Sequence, residues 1–290
     1  MTHRTNQENS PTDQKSYSTA RPALTSLSAE NLAVPSPQTV PSYAFQIFQN
    51  LLETQRNYIP DPHYIQNHQE INHKMRAVLV DWTVNVHWKL KLSTETLFLT
   101  VNLIDRYLEK RSVNRKQLQL VGICSLFVAA KYEEIYPPTT SEMLYLADKA
   151  YTKEHLLKME VDMLNALEFN MSGPSTWRFF ERLCDLSKLK GKKRSLGHYL
   201  LELSLVEYFM LRYRPSVQAV AATFIAHKMF DKDFVWAGTE ELFHREDEFR
   251  DCAKEMLVIL HSVKIHPLTA VKDKFERPVH HKISTEDYLI

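Results

Sequence analysis

Two charged residues stand where helical periodicity demands apolar ones. Glu160 has Leu156, Leu157, Met163 and Leu164 at its i±3 and i±4 positions, and a carboxylate on an apolar face is costly unless it is paired or lies at an interface. Lys131 ends the most apolar helical stretch of the chain, just after Phe127 and Val128. Three roles are open to these residues. Lys131 can complement the negative end of its helix, the two can pair with each other, or both can sit on a rim and meet backbone groups of another protein. Asp105 poses a related question. It follows Leu103 and Ile104 in a stretch that is otherwise core-like, and a buried pair with an arginine, Arg76 being the candidate, is the natural way to tolerate it.

None of these residues falls in a catalytic pattern. The five glycines are Gly122, Gly173, Gly191, Gly197 and Gly238, and no two have the spacing of a P-loop, a dinucleotide fingerprint or a kinase glycine-rich loop. Nucleotide chemistry needs backbone that can approach phosphates closely, and little of this chain can. H-E-x-x-H and G-x-S-x-G are absent. His244-Arg245-Glu246 lacks the aspartate of a kinase catalytic loop and reads as a solvated helix face. Cys124, Cys184 and Cys252 are odd in number and far apart, which gives neither a disulfide framework nor a zinc spacing. The expectation is a non-catalytic protein without metal or cofactor, in a reducing compartment: nucleus and cytoplasm.

The composition agrees. The 290 residues are 44% apolar and 24% charged, with a formal net charge of +1. That is the mix of a globular protein, with no global pull toward nucleic acid or anionic lipid. The longest apolar run, Leu120 to Ala130, contains Ser125 and is far shorter than the ~20 residues that span a bilayer.

Helices must position the charged residues. Residues 1–40 are rich in Ser, Thr, Pro, Asn and Gln and are expected to form a disordered regulatory arm. Helical periodicity begins at Tyr43 with Ile47, Phe48, Leu51 and Leu52. It continues over about 73–89, 93–109, 114–132, 140–148 and 152–168. Pro137-Pro138 stops the third long stretch, Thr139 with Glu142 is a candidate capping box, and Thr152 is a candidate N-cap. Gly173-Pro174 then breaks the chain. A second set follows at about 175–187, 194–210, 215–230, near 238–243 and 246–263. LFVAAKY at 126–132 and TFIAHKM at 223–229 share a phenylalanine, an alanine and a lysine, which suggests a duplicated five-helix unit. Residues 265–290 read as a tail without clear period. No alternating strand pattern is evident, so the fold class is all-α.

The stretch 75–89 carries two apolar stripes. Met75, Val78, Leu79, Trp82 and Val86 make one; Ala77, Val80, Val84 and Trp88 make the other. A surface helix needs one. The second stripe means burial between two layers or a docking face.

These residues lie in longer motifs that carry a family resemblance. MRAVLVDW (75–82), VNLIDRYL (101–108), LQLVGICSLFVAAKYEEIYPP (118–138) and YTKEHLLKMEVDMLNALEFN (151–170) resemble the cyclin box of mitotic cyclins, in the family's order and spacing. KYEE (131–134) and GPSTWRFFER (173–182) look more like the B type than the A type. The resemblance spans about residues 43–265 and is weaker in the second half. It implies a tandem cyclin fold: two five-helix repeats preceded by an N-terminal helix, with a cyclin box at 41–172 and a second repeat at 173–264.

It also implies a function without chemistry of its own. Cyclins dock on the PSTAIRE-type helix and activation segment of a cyclin-dependent kinase and turn that helix inward, so that the kinase's Lys–Glu pair forms. By motif position, Lys131 and Glu160 match the pair that hydrogen-bonds kinase backbone. Val128, Tyr132, Leu164 and Phe169 match neighbouring apolar contacts. Met75, Val78, Leu79 and Trp82 match the patch that captures R-x-L sequences of substrates and inhibitors, with Arg115 and Gln119 at its polar edge. Arg76 and Asp105 match an internal ion pair. The resemblance thus gives one stripe of the 75–89 helix to the core and the other to partners.

A mitotic cyclin also carries a destruction box in its N-terminal arm, read by a ubiquitin ligase. Arg21 and Leu24 fit its arginine and leucine, but Ala29 holds the asparagine position and Asn31 comes two residues late. Gln7-Glu8-Asn9 falls one residue short of the lysine-led degron, and Ser10-Pro11 and Ser36-Pro37 have the form of proline-directed phosphorylation sites. Two other readings exist. A cyclin-fold nucleic-acid binder of the general transcription factor type would carry a zinc ribbon and basic repeats, yet no cysteine precedes Cys124. A helical scaffold without a kinase partner is the second; a co-purifying kinase separates it from a cyclin.

Overall fold

The computed structural model describes residues 41–236 and 244–288. Arg21, Leu24 and the rest of the N-terminal arm, and the short helix expected near 238–243, lie outside the described residues. Eleven α-helices and no strand are present among the described residues. They are α1 (Ala44–Thr54), α2 (His73–Leu90), α3 (Thr94–Lys110), α4 (Leu118–Glu133), α5 (Thr140–Leu146), α6 (Lys153–Ala166), α7 (Thr176–Ser187), α8 (Gly191–Val206), α9 (Pro215–Phe230), α10 (Glu246–Ser262) and α11 (Ala270–Phe275).

Local chemistry sets these starts. Asn72, Ser93, Thr152 and Ser175 accept backbone N–H groups at the first turns of α2, α3, α6 and α7. Thr139 and Glu142 form the capping box of α5, and Pro215 occupies the first turn of α9, where its missing donor costs nothing. Two boundaries differ from the periodicity. Residues 115–117 form a separate 3-10 turn, capped by Asn114, before α4 begins. The stretch read as 194–210 is α8 followed, after extended Glu207, by a 3-10 turn over Tyr208–Arg212.

Each half is built around one central helix. In α4 all residues from Leu120 to Ala130 are buried, and α2, α3, α5 and α6 pack on it. In α9 most residues from Ser216 to His227 are buried, and α7, α8 and α10 pack on it. The related segments 126–132 and 223–229 lie at the C-terminal ends of these two helices, so they occupy corresponding places in the two halves. A helix that is apolar all round belongs in the middle of such a cluster.

Helix α2 stands between the two cores. Leu79 and Val86 are buried in the first, with Met75 and Trp82 packed against it. Val80 and Val84 are fully buried in the second, with Ala77 against it. Gly122 lets α4 approach this helix: a Cβ there would stand 2.7 Å from Leu79 Cδ1. The second stripe is thus packed through Val80 and Val84, whereas the first packs through Leu79 and Val86 and leaves Val78 exposed. Asp81 and Trp88 meet residues 270–280. Those residues belong to the stretch read as a tail. Instead it forms α11 and two 3-10 turns, and buries Val271, Phe275 and Ile283 in the second core. Its few apolar residues are spaced by turns, so no helical or strand period marks it.

Candidate partner-binding site

Lys131 and Glu160 meet. Lys131, in the last turn of α4, forms an ion pair with Glu160 on α6, and its Nζ lies 4.2 Å from the Phe127 ring centroid. The Glu160 side chain is 12% exposed and that of Lys131 39%, so the pair sits at the boundary of the core. Burial lowers the Lys131 pKa from its ordinary value.

Apolar side chains surround the pair at the surface. Leu157 and Val161 on α6 are exposed, as are Tyr132 at the end of α4 and Phe169 beyond α6. Leu164 is half-buried against the first core, and Val128 lies within that core at 3% exposure. Val128 therefore shapes this face from beneath. Ile135 and Tyr136, in the loop after α4, are about nine-tenths exposed, at 88% and 90%.

Phe169 is held outward by its backbone. Glu168 and Phe169 both take left-handed φ, 54° and 55°, a conformation that costs a bulky residue free energy and persists only where surroundings impose it. The Phe169 N–H donates to the Leu164 carbonyl at 2.9 Å. Arg106 Nη2 donates to the Asn170 carbonyl at 2.9 Å, and the Tyr132 and Ser172 hydroxyls are 2.8 Å apart. Helices α3, α4 and α6 thus jointly fix this edge.

The second group of residues lies on and beside α2. Val78 is 56% exposed, while Met75 and Trp82 are half-buried. Leu79 is only 5% exposed and packs under them, against Gly122. Arg115 is exposed and Gln119 partly so. The accessible apolar surface here comes from Met75, Val78 and Trp82, with Leu79 as its floor.

Arg76 and Asp105 lie inside. Arg76 Nη2 is 2.7 Å from Asp105 Oδ2, with both side chains 1% exposed. Burial opposes the Arg76 charge, but the adjacent carboxylate overrides it and holds the guanidinium pKa above its ordinary value. Tyr64 donates to Asp105 Oδ1 at 2.8 Å, and burial, with that carboxylate, pushes its phenol well up. Arg76 Nη1 also donates to the carbonyls of Leu205 and Val206 at 2.7 and 3.2 Å, tying α2 to the end of α8.

Some polar residues escaped the sequence reading. Tyr64, Ser172 and the buried Glu202–Lys274 pair were not singled out. Glu202 carries a weaker form of the Glu160 signal, with Tyr199, Leu205 and Val206 but also His198 at its i±3 and i±4 positions; Tyr64 and Ser172 carry none. No group of His, Cys, Asp and Glu among the described residues could hold a metal ion, and no described helix is long and apolar enough to cross a membrane.

Comparison with known proteins gives the family. The cyclin N-terminal domain matches residues 46–172 and the cyclin C-terminal domain residues 174–288. The chain is 38% identical to Cyclin-B2-1 of Oryza sativa subsp. japonica, over 83% of this chain and 58% of that protein. It is 34% identical to G2/mitotic-specific cyclin-B of Marthasterias glacialis, over 86% and 65%. It is similar in fold to a viral cyclin from herpesvirus saimiri, with a TM-score of 0.62 and 19% identity over 81% of this chain and 99% of that one. A chain of the yeast RNA Pol II CTD kinase CTDK-1 complex has the same fold at a TM-score of 0.57 and 15% identity, over 76% and 74%. The chain spans between about half and two thirds of the length of these curated relatives. With both domains matched in tandem and its relatives named as B-type and G2/mitotic cyclins, the chain belongs to the cyclin family.

Proposed function

We propose that this chain is a non-catalytic regulatory subunit that binds and activates a cyclin-dependent serine/threonine kinase, recruits its substrates, and so controls cell-cycle progression at G2/M. The observation that carries the reading is the Lys131–Glu160 pair on an exposed apolar face bounded by Tyr132, Leu157, Val161 and Phe169. Charged hydrogen-bonding groups at the edge of apolar surface suit a partner that offers both backbone groups and a hydrophobic helix. Binding the active conformer of the kinase more tightly than the inactive one shifts its equilibrium toward activity. Met75, Val78 and Trp82 supply a separate face for R-x-L sequences. The N-terminal arm offers a ubiquitin ligase its contact, and the protein acts in nucleus and cytoplasm. The test is co-purification. Tagged chain should retain a protein kinase, and the kinase-free chain should show no phosphotransfer. Phosphotransfer by the kinase-free chain, or no retained kinase, overturns the reading.

A further inference from the structure

Residues 268–288 cross the joint between the repeats. The Ala270 N–H donates to Asp81 Oδ1 of α2 at 2.9 Å. Ser284 Oγ donates to the Lys272 carbonyl at 2.8 Å and the Tyr288 hydroxyl to the Ile283 carbonyl at 2.7 Å, so the segment closes on itself. At its centre Lys274, 5% exposed, reaches Oε1 of the fully buried Glu202 on α8 at 2.5 Å.

Three histidines from three elements converge on that pair. His198 Nε2 lies 2.7 Å from the same Glu202 oxygen, with its ring centroid 4.4 Å from Trp177 and 4.9 Å from Phe275. The His280 ring is 4.3 Å from Phe275, 5.8 Å from Trp88 and 5.9 Å from His198. His87, on α2, is buried and meets the Ser93 carbonyl through Nε2 at 2.7 Å. His280 Nε2, His87 Nδ1 and Glu202 Oε2 are buried with no partner among the described residues.

We propose that residues 268–288 form an acid-releasable strap: protonation of His198 and His280 around the Lys274–Glu202 pair frees the segment from α2 and α8 while both repeats stay folded. Glu202 already neutralises Lys274, and a second buried cation beside one carboxylate is uncompensated. The groups facing His198 are Glu202, Lys274, Arg194 and His280. Those facing His280 are His198, Lys274, Glu202 and His281. Those facing His87 are Lys274, Glu202 and Glu134. Anions are outnumbered around both His198 and His280. Burial, then His198 and Lys274, hold the His280 pKa down to about 4; burial lowers that of His198 as well.

The sign follows from these directions. A histidine whose pKa is depressed in the docked state favours docking fully above ~6.5 and ever less as pH falls toward 4. A drop from ~6.5 to about 4 on one ring lowers the docked-to-released ratio about thirtyfold by pH 5. Hydrogen exchange on the full chain between pH 7.5 and 4.5, corrected for the intrinsic pH dependence of exchange, reads this directly. The expected result is a loss of about thirtyfold or more in protection across residues 270–284 by pH 5, with α3 and α9 still protected. His280→Phe keeps the ring and removes the charge, so its strap should open at lower pH; His198→Gln is the second variant and should shift the same way. Loss of protection in the strap and in α3 and α9 at one common pH overturns the proposal. So do variants whose strap opens at the wild-type pH.

Discussion

Arg76 and Asp105 are joined by two parallel hydrogen bonds, Nε to Oδ1 at 2.8 Å and Nη2 to Oδ2 at 2.7 Å, in a site almost closed to solvent. The same guanidinium holds the Leu205 and Val206 carbonyls. One side chain thus links α2, α3 and the end of α8. Its removal leaves a buried carboxylate uncompensated, so Arg76→Ala should destabilise the fold by ~3–5 kcal/mol. The combined change Arg76→Met with Asp105→Leu should recover part of that loss. Denaturant titration checks both; an Arg76→Ala loss under ~1 kcal/mol would contradict this assignment.

Lys131 and Glu160 pose the opposite case. Their ion pair is partly solvated, and such pairs add little to stability. Lys131→Ala with Glu160→Ala should melt close to wild type yet bind the proposed partner kinase roughly a hundredfold more weakly, since each hydrogen bond to or from a charged group is worth ~1.5–3 kcal/mol. Calorimetric binding and thermal melts on one sample separate the outcomes. An early-melting variant that binds normally once folded would make the pair structural.

Trp82 and Val84 sit on opposite sides of α2. Trp82 is half-buried beside exposed Val78, whereas Val84 is fully buried in the second core. Trp82→Ala should slow phosphorylation of substrates with an R-x-L sequence by tens of fold, because a docking anchor often carries ~2 kcal/mol and adds effective concentration. Peptides without that sequence should be unaffected. Val84→Asp buries an unpaired charge and should unfold the domain. If Trp82→Ala unfolds and Val84→Asp is tolerated, the faces are reversed.

Glu95 predicts a pH dependence near neutrality. Its side chain is 13% exposed, with Oε2 3.7 Å from Arg178 Nε. Burial pushes its pKa up to about 7; Ser175 and Arg178 only partly offset this, and Glu133 and Glu181 add to it. A carboxyl whose folded pKa is raised above the unfolded ~4.3 contributes fully below pH ~4.3 and loses that contribution as pH rises through 7. Glu95→Gln should therefore match wild type near pH 4.5 and exceed it at pH 8 by ~1–3 kcal/mol. An equal difference at both pH values would remove titration as the cause.

Much of this was legible in the linear chain. Period and caps located the helices because they are local: Thr139 with Glu142, and Thr152, act within one turn of themselves. The oddity of Glu160 and Lys131 was legible for the same reason, since an apolar neighbourhood at i±3 and i±4 is visible in sequence. The long motifs around them carried the family. Partner choice was not local. The sequence offers Arg76 as the partner of Asp105, but nothing in it says that Arg76 also meets the carbonyls of Leu205 and Val206, across 129 and 130 positions, or that Glu202 meets Lys274 across 72. The two stripes of α2 show the divide most clearly. The sequence determined that two faces are apolar, because composition and a 3.6-residue period require nothing else. Only the tertiary structure decided what covers each: α4 with Gly122 covers Leu79 on one side and leaves Val78 exposed, while α8 and α11 pack on the other. Apolar burial is non-directional, so an apolar stripe asks for cover without specifying which distant segment supplies it.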